Sequence, residues 1–182
     1  MTGRGIDQAL SQPLNPRLYE PYFSDARAYV ELAENANGPI PRPVGFDYIW
    51  GEALPELRRA EVDLRIINLE TAITTVETHW LGKEIHYRMH PHNIDCLSVA
   101  GINGCALANN HVLDWGYEGL SETLRTLDAV GVKHAGAGNA TEDERLRRCS
   151  TCQGSAACFS SRLDRQPAGF RISGAPQAFA RE

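Results

Sequence analysis

With 182 residues, 42 % of them apolar and 23 % charged, the chain has the composition of one ordinary globular domain and is short for two. No run of about 18 apolar residues is present to span a membrane and no apolar signal core follows Met1, so the residues as encoded predict a cytoplasmic protein without a transmembrane segment. The net charge of −5 is unevenly spread: seven Arg against Asp164 and Glu182 make residues 145–182 basic, and the strongly acidic body before them argues against a nucleic-acid partner.

In chain order, Gly3 and Gly5 mark a turn, and a polar, proline-punctuated stretch runs to Pro16 with no strand before it. From Arg17 to Asn37, Leu18, Tyr22, Ala26, Tyr29, Val30 and Ala33 recur at helical steps and predict an amphipathic helix that Gly38 ends. Pro39, Pro41 and Pro43 force an extended linker or surface loop. A short helix around Trp50–Arg59 is expected to lead into a strand over Val62–Ile67, which exits at Asn68-Leu69-Glu70. Residues 74–92 read as a long polar loop carrying Trp80, Lys83, His86, Arg88, His90 and His92, a length more often functional than ornamental.

Asn93 is placed to cap a helix from Ile94 to Ala100 that Gly101 closes. A buried strand over Gly104–Ala108 follows and stops at Asn109-Asn110-His111, with Asp114 and Gly116 just beyond. Leu120, Leu124, Leu127 and Val130 predict a helix over Tyr117–Val130, and Val132–Ala135 is a third strand. Strand, helix, strand, helix, strand with short connections gives an α/β fold with a parallel sheet. Residues 1–143 form that domain. Residues 144–182 show neither period, and two readings stay open for them: an irregular or disordered tail, or an out-of-frame translation.

Functional groups in a parallel sheet collect beyond the carboxyl ends of its strands. Asn68 and Glu70 follow one such end and Asn109, Asn110 and His111 another, so neighbouring strands would bring a carboxylate, amides and an imidazole together. Such a mixed oxygen and nitrogen set suits manganese, iron, zinc or magnesium. Each residue also has a plain structural role, Asn109 or Asn110 as a turn amide, Glu70 as a cap, Asp114 as a turn former; the joint pattern at two strand ends favours function. Arg88 is a candidate for gripping an anion bidentately, or a solvated surface Arg. His86, His90 and His92 have no helix-face spacing beyond the first pair, and Pro91 breaks any helix there, which disfavours a metal cluster. Cys96 and Cys105 read as core residues. Cys149 and Cys152 have C-x-x-C spacing without the second pair a zinc site needs, and Cys158 follows them in the tail.

Asn68-Leu69-Glu70, Arg88 with Pro91 and Asn93, and Asn109-Asn110-His111 with Asp114 and Gly116, followed by Gly119, Thr123 and Leu127, closely resemble the CapA family of poly-γ-glutamate capsule biosynthesis proteins, within the calcineurin-like metallophosphoesterase superfamily. The resemblance covers residues 3 to about 142. It implies a four-layer α/β/β/α sandwich, here incomplete, and divalent metal cofactors. It also implies metal ligands at Asn68, Glu70 and Asn110, a catalytic His111 braced by Asp114, and substrate-anion binding at Arg88. The implied partners are an anionic polymer or phosphoester and a capsule-synthesis complex; related proteins are membrane-associated or exported. The family's opening strand, ending in Gly-Asp-x-Met-Leu-Gly-Arg, is reduced here to Met1-Thr2-Gly3-Arg4, and its later histidines are missing. The expectation is therefore a truncated member, impaired as a phosphoesterase; the alternative is a non-catalytic binder of a polyanionic chain or of a synthesis partner.

Overall fold

The computed structural model describes residues 2–138 and the backbone of a short strand at 171–172. The expected boundary at 143, the character of the tail, and Cys149, Cys152 and Cys158 lie outside the described residues. The elements in order are α1 (Gly5–Ala9), α2 (Arg27–Asn37), α3 (Ala53–Arg59), β1 (Ile66–Asn68), β2 (Ala72–Ile73), β3 (Arg88–Met89), α4 (Asp95–Ser98), β4 (Gly104–Ala106), α5 (Gly116–Ala129), β5 (Lys133–Ala135), β6 (Ala137–Gly138) and β7 (Arg171–Ile172). The parallel sheet expected from the alternation is present in the order β1-β4-β5, with Ile66 opposite Gly104 and Gly104 opposite Lys133. A second parallel pair joins β2 to β3, and β6 pairs antiparallel with β7. The protein is thus mixed α/β with parallel strands.

Helix α5 forms where the period predicts it and buries Leu120, Leu124 and Leu127 against β2 and β5. Burying each of those leucines stabilises the fold by about 1.5–3 kcal/mol. Thr123 lies on the same face and ties two layers together: its hydroxyl accepts from Ile73 N at 2.9 Å and donates to Gly119 O at 2.8 Å. Cys96 and Cys105 belong to this core, and burial pushes each thiol up to about 12.

Four expectations are corrected. The first amphipathic helix covers only Arg27–Asn37, because Pro21 lacks the N–H a helix interior needs; Arg17 instead bridges Asp25 in an extended turn. The strand expected over Val62–Ile67 begins at Ile66 and includes Asn68. The supposed loop 74–92 is bounded by β2 and contains β3, strands of two residues that show no alternation. Asn93 does not cap a helix: His90 caps a 3-10 turn over Pro91–Asn93, and the Asn93 amide donates to Asp7 Oδ1 at 2.8 Å and to Gln12 O at 3.0 Å.

That last bond is part of a buried latch holding the N-terminal segment on β3. Asp7 is 1 % exposed. Its two oxygens accept from His90 N at 2.9 Å, Asn93 Nδ2 at 2.8 Å and Leu14 N at 2.8 Å. Thr2 N donates to Thr71 Oγ1 at 3.2 Å, and at Gly3 an added Cβ would lie 2.5 Å from Arg88 O, so only glycine lets the segment lie this close. Arg4, carried by the segment, pairs with Glu20 and sits over the rings of Tyr29 and Tyr87 at 4.3 and 5.0 Å.

Candidate functional site

The carboxyl ends of β1 and β4 lie side by side, which delivers the residues after each strand to one place. After Asn68 and Ala106 the ladder runs one step further: Leu69 N donates to Ala106 O at 3.0 Å and Leu107 N to Ala135 O at 2.8 Å. Beyond that the chain must turn, and Asn109 makes the turn. Its amide donates to Asn68 Oδ1 and to Leu69 O, both at 3.0 Å, while its Oδ1 accepts His111 N at 3.0 Å. The buried Asn109 therefore stitches the two strand ends together and aims His111.

His111 is buried beside a wholly buried Asp114, with Nδ1 2.9 Å from Asp114 Oδ2. The same oxygen accepts Tyr87 N at 2.5 Å, and the Lys83 ammonium bonds Asp114 Oδ1 and the Asn110 carbonyl. Because an ionised carboxylate only accepts, Nδ1 carries the proton in neutral His111 and the lone pair is left on Nε2. The Tyr87 ring stacks on the imidazole at 3.9 Å and 23°. Trp115 Nε1 donates to Tyr87 O at 3.1 Å, and Trp80 N to Asp114 O at 2.8 Å, so residues 80–87 are clamped over the pair. An imidazole held this firmly by an acid can take or give a proton at Nε2, or donate from it to an anion once protonated.

The other expected site residues fall in two groups. Asn68, Glu70 and Asn110 stand at the same strand ends. Asn68 Nδ2 donates to Glu70 Oε1 at 2.8 Å and its Oδ1 is taken by Asn109, while the Asn110 residue is exposed and its carbonyl is bonded to Lys83. This set offers a metal one carboxylate, bonded to its neighbour, and among the described residues no three His, Cys, Asp or Glu side chains gather to hold an ion. Arg88 lies apart: it is 7 % exposed, donates to Val76 O at 2.6 Å and Glu77 Oε1 at 3.1 Å, and covers the Trp115 ring at 3.9 Å.

His86 is drawn into a ring cluster with Tyr19, His79 and Trp115, its Nε2 2.8 Å from Trp80 O, while His90 Nδ1 accepts His92 N at 3.1 Å. Burial lowers the affinity of His79 and His90 for a proton, reinforced by the neighbouring His86 and His92 respectively. Sequence reasoning missed Lys83 and Tyr87. Lys83 left one trace: it is one of two lysines in an arginine-dominated chain, and a compact ammonium fits a small cradle that a guanidinium does not.

A family model described as "Bacterial capsule synthesis protein PGA_cap" matches residues 1–176. A Mycobacterium tuberculosis protein named as a "Probable polyglutamine synthesis accessory protein" is 48 % identical over 138 residues, which are 76 % of this chain and 36 % of that protein. An uncharacterised protein of Sinorhizobium fredii is 34 % identical over 133 residues, 69 % of this chain and 28 % of its own. The chain thus spans about a third of the length of these relatives.

Proposed function

This chain belongs to the bacterial capsule synthesis protein family PGA_cap, and we propose that it serves capsule or poly-γ-glutamate synthesis through His111, acting on an anionic group, and is impaired as a phosphoesterase by itself. The observation that carries this reading is the clamped His111–Asp114 pair at the joined ends of β1 and β4. With Nδ1 engaged by Asp114, the Nε2 lone pair can accept a proton from an attacking hydroxyl or amine. The imidazolium so formed can then donate to the oxygen of a phosphoester or carboxylate. Asn110, exposed beside it, could contribute a side-chain amide to the same group.

The superfamily resemblance supports a four-layer α/β/β/α sandwich, with the sheet β1-β4-β5 contributing part of one inner layer. Metal ions, where such a protein holds them near Asn68, Glu70 and Asn110, polarise an anionic oxygen. The chemistry available to the described residues runs through His111. The mycobacterial relative's name, an accessory protein, favours a second reading in which the chain binds a polyanionic polymer or a synthesis partner without turnover. Among the described residues no helix is long and apolar enough to cross a membrane.

Two assays on the purified chain test this. With manganese present, hydrolysis of bis(p-nitrophenyl) phosphate is expected to stay at the buffer rate; stoichiometric binding of two divalent ions with turnover would refute the impaired reading. Binding of fluorescent poly-γ-glutamate is expected to weaken about tenfold in His111→Ala, the loss of one charge-assisted hydrogen bond. Binding that is strong and indifferent to the substitution would favour the second reading.

A further inference from the structure

A recess lies between the N-terminal segment and the start of β3. Arg4, Asp7 and Arg17 line it from the N-terminal segment, and His86, Arg88 and Trp115 from the rest of the fold; His111 is not among the lining residues. Its open volume, mouth included, is about 270 Å³, room for one oxyanion group and a short substituent. Three guanidiniums thus share the recess with one carboxylate, in a body that is strongly acidic elsewhere. That carboxylate is already engaged, since both oxygens of Asp7 accept N–H groups within the latch. Glu20 holds Nη2 of Arg4 and Glu77 holds Nη1 of Arg88, and neither of these acids lines the recess. Two donors remain. Arg4 Nε is buried without a partner among the described residues, and the Arg17 guanidinium, resting over the Tyr19 ring at 5.3 Å, pairs with no carboxylate among them.

His86 adds the opposite requirement. It is 4 % exposed, and its Nε2 lies 2.8 Å from Trp80 O. A carbonyl oxygen only accepts, so Nε2 holds the proton and Nδ1 of the neutral ring is a lone pair. That Nδ1 is buried and has no partner among the described residues. A buried acceptor without a hydrogen bond costs free energy, and so does the unpaired Arg4 donor. One water would answer both and leave the Arg17 charge without a counterion; an anion that brings its own hydrogen donor answers all three. We propose that this recess is an oxyanion subsite separate from His111, which takes one carboxylate or phosphate group through Arg4 Nε and Arg17 while His86 Nδ1 accepts from an N–H or O–H beside that group. Arg88, held over the Trp115 ring at 3.9 Å, adds a fixed positive charge to the wall. Two ligand sources share this chemistry: an acylated amino acid, whose carboxylate stands one carbon from an amide N–H, and hydrogen phosphate, whose anionic oxygens share their phosphorus with an O–H. An anion of the same charge without the donor meets the same guanidiniums but leaves His86 Nδ1 unpaired.

Calorimetric titration of the full chain with two matched pairs of anions tests this. N-acetylsarcosine carries a methyl where N-acetylglycine carries the N–H, and sulfate lacks the O–H of hydrogen phosphate. Wild type is expected to bind the donor-bearing member of one pair at least about tenfold more tightly than its twin, and that pair identifies the source. Arg17→Ala, a change at an exposed residue, is expected to weaken that ligand about tenfold. His86→Phe keeps an aromatic ring in the cluster and is expected to erase the preference between the twins. No heat of binding from either donor-bearing anion up to about 10 mM would overturn the proposal. Equal affinity for the twins, a preference that survives His86→Phe, or indifference to Arg17→Ala would overturn it equally. Nitrogen–proton correlation spectra of wild type cover the case in which His86→Phe fails to fold: the His86 Nδ1 resonance is expected to move on saturation with the ligand, and an unmoved resonance would overturn the assignment. Neither poly-γ-glutamate nor a substitution of His111 enters these readouts, so either reading can fail alone.

Discussion

Asp7 and Asp114 are both buried to within a percent, yet the chain treats their charges in opposite ways. Asp7 receives three uncharged N–H donors from Leu14, His90 and Asn93, and among the described residues no Lys or Arg bonds it. Burial dominates there and raises its proton affinity above the ordinary carboxylate range, against the lowering effect of those bonds. Asp114 receives one main-chain N–H, from Tyr87, and otherwise an imidazole and an ammonium. The first arrangement fixes a segment; the second sets a carboxylate between an imidazole and an ammonium. A buried carboxylate with neutral donors is a latch, and one with titratable and cationic partners at strand ends is the functional candidate.

The sharpest way to break that contrast is Asp7→Ala. It strands three buried donors, and a loss of about 4 kcal/mol in urea unfolding is expected, with the N-terminal segment released from β3. Asp114→Asn keeps the shape and should cost less, about 2 kcal/mol, since Lys83 can swing into solvent. Its signature is chemical: the amide oxygen must stay toward Tyr87 N and His111 Nδ1, which turns the amide nitrogen onto the Lys83 ammonium and breaks that ion pair. If Asp114→Asn were the more destabilising of the two, the division into latch and functional pair would fail. Gly3→Ala, which drives a methyl into the Arg88 backbone, should destabilise by about 1–3 kcal/mol without altering the His111 tautomer.

The pH dependence separates Asp7 from a third carboxylate. Since Asp7 is harder to ionise folded than unfolded, its contribution is fully present below the unfolded value and lost as pH rises through the raised folded value. Glu122 behaves in the reverse sense. Burial alone would raise it, but hydrogen bonds from Thr74 and Thr75 outweigh burial and lower it, so its stabilisation fades as pH falls through the folded value. Stability curves of Asp7→Asn and Glu122→Gln, each subtracted from wild type, should therefore slope in opposite directions across the acid range.

The legible and illegible parts of the chain divide along physical lines. Helix α5 and the apposition of Asn68 with Asn109 could be read beforehand, because a period of 3.6 and a polar break after an apolar strand are local signals. The two-residue strands β2 and β3 are too short for any period, and β2 is held in place by long-range packing on α5. The helix does not reach back to Arg17 because Pro21 interrupts the apolar spacing that continues through it. Asp7 and Lys83 sit in stretches that read as polar turn and loop; their partners lie 83 and 31 residues away, at His90 and Asp114, and only the fold brings them together. Of the expected site, the strand ends bring Asn68, Glu70, Asn110, His111 and Asp114 into one neighbourhood, while Arg88 belongs to the Trp115 wall.

The most direct measurement is the capsular polymer made by a host whose own gene carries His111→Gln, compared with wild type at matched protein abundance. If His111 is the working group, polymer falls by at least about tenfold while the chain accumulates normally; polymer at the wild-type amount would contradict the account.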